Sequence, residues 1–475
     1  MRLVFDSFLC RRRSCLSLLL VILLLASCKQ RSAGEFVSVK GAIIALTHVR
    51  VIDGTGSPAK EDQTIIIDSG RITSLGPASK TSVPPSATTL DLTGQTALPG
   101  LVGMHDHLFY STDGGARDVL ATESFARLYL ASGVTTIRTA GTLDLRRDLA
   151  LKKSVDDGDV PGPKIHITSP YITHAAGQRF DPEKLTAQIN EWADQGVTSL
   201  KVYENVSRAE LGVVMDAARK KGLRVTGHLC AVGFTEAAQA GIDNLEHGLG
   251  VDTEFFSRKK ADECPERSEW LPELAEIDVA SEPVQRMIAE LVQHRVAVTS
   301  TLAIFEAFIT DKFQPDPRMR EVLSEDAYAD CVAELEKGKA DPRWSRIWEV
   351  MLKKEMQFER AFVKAGGVLM TGVDPTGWGG VVAGFGDQRG VELLVAAGFT
   401  PAEAIRIATQ NGATFLGEAE RIGTLAVGKQ ADIVIVRGNP ATNISDIRNV
   451  QLVFKDGVGY DPAKLIESVR GLVGE

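Results

Sequence analysis

The sequence predicts an α/β protein: a (β/α)8 barrel of the TIM type, with a small discontinuous β-sandwich domain formed by both ends of the mature chain. Three observations carry this expectation. Between residues 98 and 415, short β-branched runs alternate with helix-like stretches, and eight such runs can be counted. Strand-meander text lies on both sides of that stretch. Metal-capable side chains fall at the C-terminal ends of the runs, where a barrel gathers its functional groups.

Residues 1–27 read as a signal segment. Arg2, Arg11, Arg12 and Arg13 precede an apolar run, Leu16 to Leu25, that is too short to span a bilayer. The run ends in Leu25-Ala26-Ser27-Cys28, which resembles the bacterial lipoprotein box. That resemblance implies cleavage before Cys28 and lipidation of its thiol. The chain is then exported and held by lipid to a bacterial membrane, facing the periplasm, and it meets the membrane through that lipid only. A plain secretory signal with an incidental Cys28 is the alternative. Residues 28–38 read as a tether.

Residues 39–97 form the first part of the small β domain, in runs such as AIIALTHVRVID and TIIIDSGRITSLGP. The barrel is expected over 98–415. Its first strand ends in LPGLVGMHDHL, and the others are VTTIRTAG (134–141), KIHITSPYI (164–172), TSLKVYEN (198–205), RVTGHLC (224–230), NLEHG (244–248), AVTSTLA (297–303) and GVLMTGVDP (367–375). Helix-like text separates most of them, and one stretch opens with a Ser207-x-x-Glu210 capping box. Segments 249–296 and 304–366 are too long for simple connections, so extra helices or a lid over one end are expected. A helix begun by Thr400-Pro401 follows, and 416–475 returns to β as the second part of the small domain.

The chemistry begins with His105 and His107. In a strand, residues i and i+2 share a face, so one divalent metal can join both imidazoles. Two structural histidines would show the same spacing. Lys201 adds more. Leu200 and Val202 should face the helices, which turns Ser199, Lys201 and Tyr203 into the barrel. A buried ammonium is costly unless it is paired or neutralised. Carboxylation by carbon dioxide would make Lys201 an anionic carbamate able to bridge two metals; an internal salt bridge to Asp374 is the alternative. His228, His247 and Asp374 end three further runs.

The ordered set His105-x-His107, Lys201, His228, His247 and Asp374 resembles the amidohydrolase superfamily of metal-dependent hydrolases. The likeness extends to the Asp53-Gly54-Thr55-Gly56 turn, NLEHG, MTGVDP and the tail from TPAEAIRIATQNGATFLG to ADIVIV. Within it, the chain looks most like the imidazolonepropionase-related branch that includes Xaa-Pro dipeptidases and other N-acyl amino acid hydrolases. The resemblance implies two divalent metal ions, with zinc the first choice. His105, His107 and Asp374 would bind one ion and His228 and His247 the second. Carboxylated Lys201 and a hydroxide would bridge them. Asp374 would carry the proton from the hydroxide to the leaving amine. The expected reaction is cleavage of an amide bond of an N-acyl amino acid or Xaa-Pro dipeptide. A mononuclear deaminase or cyclic amidase, with Lys201 unmodified, is the nearest rival, and a non-catalytic solute-binding lipoprotein the rival of another class.

Tyr203 could hydrogen-bond the substrate carbonyl or only fill the core, and His174 could touch substrate or be an exposed loop histidine; Arg179 and Arg138 could hold a substrate carboxylate or make a structural salt bridge, the latter the first reading for Arg138; His48, His166 and His294 read as structural. The His228 segment has Leu229 where the branch often has a small residue, and the His174 loop lacks paired glycines, which bears on the substrate and not on the metals. The partner is a small molecule, with a homo-oligomer open. A formal net charge of −9 argues against nucleic acid. Cys230, Cys264 and Cys331 form no disulfide framework, although one pair is free to oxidise in an exported protein.

Overall fold

Two kinds of sheet share the chain. The computed structural model describes residues 33–174, 180–376 and 380–475. The expected signal segment with Cys28, and Arg179, lie outside the described residues.

The first sheet is mixed, has nine strands and draws on both ends of the chain. Ile43–Val51 pairs antiparallel with Lys60–Asp68, and Gln95–Pro99 with Ile433–Arg437. The last of these shows why the tail is so continuously apolar. Ile433 and Ile435 join a core with Ile44, Leu46 and Ile65, while Val434 and Val436 belong to the large core of the α/β part. A strand buried on both faces has no polar side to show. The ladder runs through one sheet and does not by itself set out the two layers of a sandwich.

The second kind is parallel. Among the described residues its strands are β1 (Leu101–Asp106), β2 (Val134–Thr139), β3 (Lys164–His166 continuing as Thr168–Ile172), β4 (Ser199–Glu204), β5 (Arg224–Leu229), β6 (Asn244–Glu246), β7 (Ala297–Ser300) and β8 (Leu369–Thr371). Every neighbouring pair is parallel. The third strand changes partner at Ile167: its first half pairs with β2 and its second with β4. The ends of β8 and β1 meet where the Asp374 N–H donates to the His105 carbonyl at 2.9 Å. Strand number, order and direction are those expected of a (β/α)8 barrel. Helices alternate with the strands. Arg208–Lys221 begins at the Ser207/Glu210 capping box and ends at Gly222 in the left-handed conformation.

The two long segments are largely helical. Residues 249–296 carry Arg267–Ala275 and Glu282–Gln293, and 304–366 carry Glu325–Ala340 and Arg343–Lys364. A disulfide joins Cys230 to Cys264, and Cys331 is free and buried. Among the described residues no helix is long and apolar enough to cross a membrane.

Three expected boundaries are corrected. Leu98–Leu108 is not one strand, because Gln95–Pro99 belongs to the mixed sheet and Leu101–Asp106 to the parallel one. Gly100 separates them, and a side chain there would run into Thr135. Residues 33–36, expected within the tether, are packed: Ala33 donates to the Asp159 carbonyl and Phe36 is buried in the large core. The tail is not wholly part of the small domain either. Leu465, Val469 and Val473 join the large core, and Val473 exchanges backbone hydrogen bonds with Val322 and Ser324.

Candidate metal centre

The site begins with a strand end that is clamped. The Tyr129 hydroxyl accepts from the His107 N–H at 3.2 Å and donates to the His107 carbonyl at 3.0 Å. This fixes the chain as it leaves β1 and keeps both histidines on the inner side. His105 Nδ1 lies 2.8 Å from Glu246 Oε2. A carboxylate there claims the Nδ1 proton and leaves Nε2 as the free donor. Glu246 is itself held by Arg138 at 2.6 Å and by the Thr226 hydroxyl.

Asp374 follows β8. Its Oδ1 lies 3.2 Å from His107 Nε2 and 3.6 Å from His105 Nε2. One donor atom from each of these three residues falls within 4.8 Å of the others. His247 comes next, its ring centroid 4.4 Å from that of His105 and 4.5 Å from that of His228. His247 Nδ1 is 2.8 Å from the Thr301 hydroxyl, which orients the ring as Glu246 orients His105. Lys201 projects from β4 and is 1% exposed. These six groups share one cavity of about 520 Å3.

Two backbone conformations make the cluster possible. His247 has φ of 66° and Asp374 has φ of 48°, both in the left-handed region that non-glycine residues seldom occupy. In β6, Asn244 and Glu246 share a face, so unbroken alternation would turn His247 outward. The left-handed residue brings it back to the centre. Strain of this kind is characteristically stored at functional sites.

The electrostatics suit a cation. Burial holds His107, His228 and His247 below the usual imidazole range, and the neighbouring Lys201 ammonium lowers His228 further. They are neutral donors at neutral pH. Burial opposes ionisation of Asp374, but His105 and His107 overcome it and keep the carboxylate charged. Burial brings the Lys201 ammonium down to about 8, against the pull of Glu246. About a tenth of an amine of that kind is unprotonated at pH 7, far more than of an ordinary lysine. The donor set is therefore imidazole and carboxylate nitrogen and oxygen with an amine beside them, which fits divalent zinc, manganese, cobalt or iron.

The remaining sequence candidates divide. Tyr203 lines the cavity, its ring 4.9 Å from that of His228. His174 does not enter it: its Nε2 lies 3.0 Å from Glu210, the capping-box acid of the following helix. Arg138 is buried in the Glu246 network, and His48 pairs with Asp62 at the surface. Sequence reasoning missed Glu246, Thr301 and Arg267. A glutamate just before a candidate ligand histidine was the one available signal for Glu246. No local pattern marks Thr301 or Arg267.

The profile of the Amidohydrolase family matches residues 96–311 and 348–458. Among solved structures, a Bifidobacterium longum protein assigned as a prolidase is 24% identical with a TM-score of 0.64, over 90% of this chain and 98% of that one. A Xaa-Pro dipeptidase with methionine bound in its active site is 21% identical with a TM-score of 0.66, over 88% and 100%. Molinate hydrolase is 19% identical with a TM-score of 0.64, over 90% and 96%. These likenesses concern the fold. No curated protein matches the chain.

Proposed function

The chain belongs to the amidohydrolase family and is a hydrolase of carbon–nitrogen bonds; from that premise we propose that it cleaves the amide bond of an N-acyl amino acid or Xaa-Pro dipeptide with two divalent metals. The observation that carries this reading is the convergence of six donors in one cavity. His105, His107 and Asp374 would hold one ion, His228 and His247 the other, and Lys201, as a carbamate, would lie between them. When bound, the metals would lower the pKa of water and polarise the scissile carbonyl.

The chain's own groups do the rest. Asp374 Oδ is ionised and stands at the mouth, so it can accept a proton from the attacking water and deliver it to the leaving nitrogen. Glu246 holds His105 in one tautomer, and Thr301 orients the His247 ring. Tyr203 keeps its phenolic proton, because burial raises its pKa, and it is placed to donate to the carbonyl oxygen. Phe109, Leu143, Ile304 and Phe308 give the mouth an apolar wall for the acyl group. Several neighbours in fold, the Xaa-Pro dipeptidase among them, act on related bonds by name.

A mononuclear reading has one observation of its own: among the described residues the triad His105, His107 and Asp374 alone meets the geometry of a compact three-donor site. Metal content per chain separates the two. Purified protein should hold two equivalents by elemental analysis and hydrolyse members of a panel of N-acyl amino acids and Xaa-Pro dipeptides. One equivalent with full activity would favour the mononuclear site. No turnover on the panel by metal-loaded protein would remove the substrate assignment.

We also infer an exported, lipid-anchored protein. The Leu25-Ala26-Ser27-Cys28 box and the Cys230–Cys264 disulfide support it, since disulfides persist in oxidising compartments.

A further inference from the structure

The metal cavity has a cation that the metals do not use. Arg267 begins the helix Arg267–Ala275 in the long segment after β6, and its side chain lines the cavity beside Tyr203 and His228. It also walls a smaller adjoining cavity of about 320 Å3, together with Glu204, Cys264 and Trp270. Other arginines near the core are well bonded. Arg138 holds Glu246 and Asn244, and Arg389 holds Glu306 and Glu392. Arg267 differs: among the described residues its one ion pair is with Glu204 at 3.8 Å, beyond hydrogen-bond distance. A guanidinium has five N–H donors in a planar fork that matches a carboxylate. Half of the Arg267 side chain is exposed, and the residue lines the cavity.

A built attachment holds it there. Cys264 lies three residues before Arg267, with Pro265 between, and is bonded to Cys230, two residues after His228. Lys259 Nζ donates to the Ala231 carbonyl at 3.0 Å and the Glu263 carbonyl at 2.7 Å. The Thr253 hydroxyl donates to the Cys230 carbonyl at 2.6 Å. The approach to the helix is thus stapled to the end of β5, the strand that carries His228. Loops that must place a charge within a fraction of an ångström need such support.

We propose that Arg267, held over the cavity by the Cys230–Cys264 staple, binds the carboxylate of the substrate and selects acids over their neutral amides. This deepens the amide-hydrolase reading and rests on it. With Lys201 buried as a metal bridge, Arg267 is the remaining fixed cation on the described cavity wall. The apolar groups Phe109, Leu143, Ile304 and Phe308 leave room for the uncharged acyl part. The cavity then reads as a site with one anionic and one apolar end, matched to an acylated amino acid.

The test compares each N-acyl amino acid or dipeptide with its C-terminal amide on the metal-loaded full chain. Wild type should favour the acid in KM. Arg267→Gln should raise KM for the acid about tenfold or more, so that the preference for acid over amide collapses, and Arg267→Lys should recover part of it. Cys264→Ser should erode the same preference less, through KM rather than kcat. An unchanged acid-to-amide ratio in Arg267→Gln would overturn the proposal. The companion measurement needs no turnover: calorimetric binding of an N-acetyl amino acid should weaken about tenfold in Arg267→Gln. Equal binding by wild type and variant overturns the inference even if no substrate is found. Normal wild-type turnover with an intact ratio in the variant overturns it while leaving the hydrolase reading in place.

Discussion

Glu246 and the pair Glu355/Glu359 are equally buried, each at 0% exposure, yet they sit in opposite charge states. Glu246 lies among cations and donors. Burial alone would neutralise it, but Arg138 and His105 hold it well below the usual carboxylate range. Glu355 and Glu359 sit one turn apart on the helix Arg343–Lys364, against the barrel turn after β6 and the end of β7. Glu355 accepts from the Gly250 N–H at 2.8 Å, and a side chain at Gly248 would run into it. Among the described residues neither forms an ion pair, and burial raises both, Glu359 to about 8. The same side chain at the same depth is an anion in one place and an acid in the other. The partner cation decides, and only the anion is bonded to a histidine of the candidate metal centre.

The charged cluster should be the sensitive one, and its sharpest test is Lys201→Ala. Loss of a bridging ligand should cost more than the roughly 10–100-fold typical of an outer partner, so activity should fall at least about a hundredfold. Added acetate or propionate, which offers two carboxylate oxygens, should restore some bound metal and some rate together. Two metals and near-normal rate in Lys201→Ala would make Lys201 structural.

Glu246→Gln should come next. It leaves Arg138 buried without its anion and frees the Nδ1 proton of His105. Metal affinity should drop about 10–100-fold, and stability by about 3–5 kcal/mol, the usual cost of breaking a buried ion pair. Metal titration and urea unfolding read the two effects. A neutral outcome in both would break the contrast, since Glu246 would then behave like the paired acids.

Glu359→Gln should act on stability alone, and with the opposite sign. A carboxyl whose folded pKa is raised lends stability below its ordinary 4.5, and loses it as pH climbs toward about 8. Glutamine removes that loss. Urea unfolding at pH 5 should barely distinguish variant from wild type, while at pH 8.5 the variant should be more stable by about 1 kcal/mol or more. Equal stabilities at the higher pH would mean that Glu359 ionises freely.

The legible parts of this molecule are those fixed by local rules. Period-two alternation placed Lys201 on the cavity-lining face of the parallel strands and paired His105 with His107. The capping box at Ser207 and Glu210 marked a helix start correctly, yet the same Glu210 took His174 away from the cavity, a pairing across thirty-six positions that no window shows. The insert after β6 was legible as an insert by its length, but not as the carrier of Arg267.

Sequence alone determined the alternation of strands and helices, the strands that present His105, His107, Lys201 and His228, and the membership of both chain ends in one β module. Those follow from side-chain periodicity and backbone propensity, which act over a few residues. The tertiary structure decided the rest. It turned His247 and Asp374 inward through left-handed backbone, set Glu246 between Arg138 and His105, split Leu98–Leu108 between two sheets, and stapled Arg267 beside His228. Each depends on groups distant in sequence meeting in a space with little water, where charge and hydrogen bonding are settled by whichever partners packing delivers.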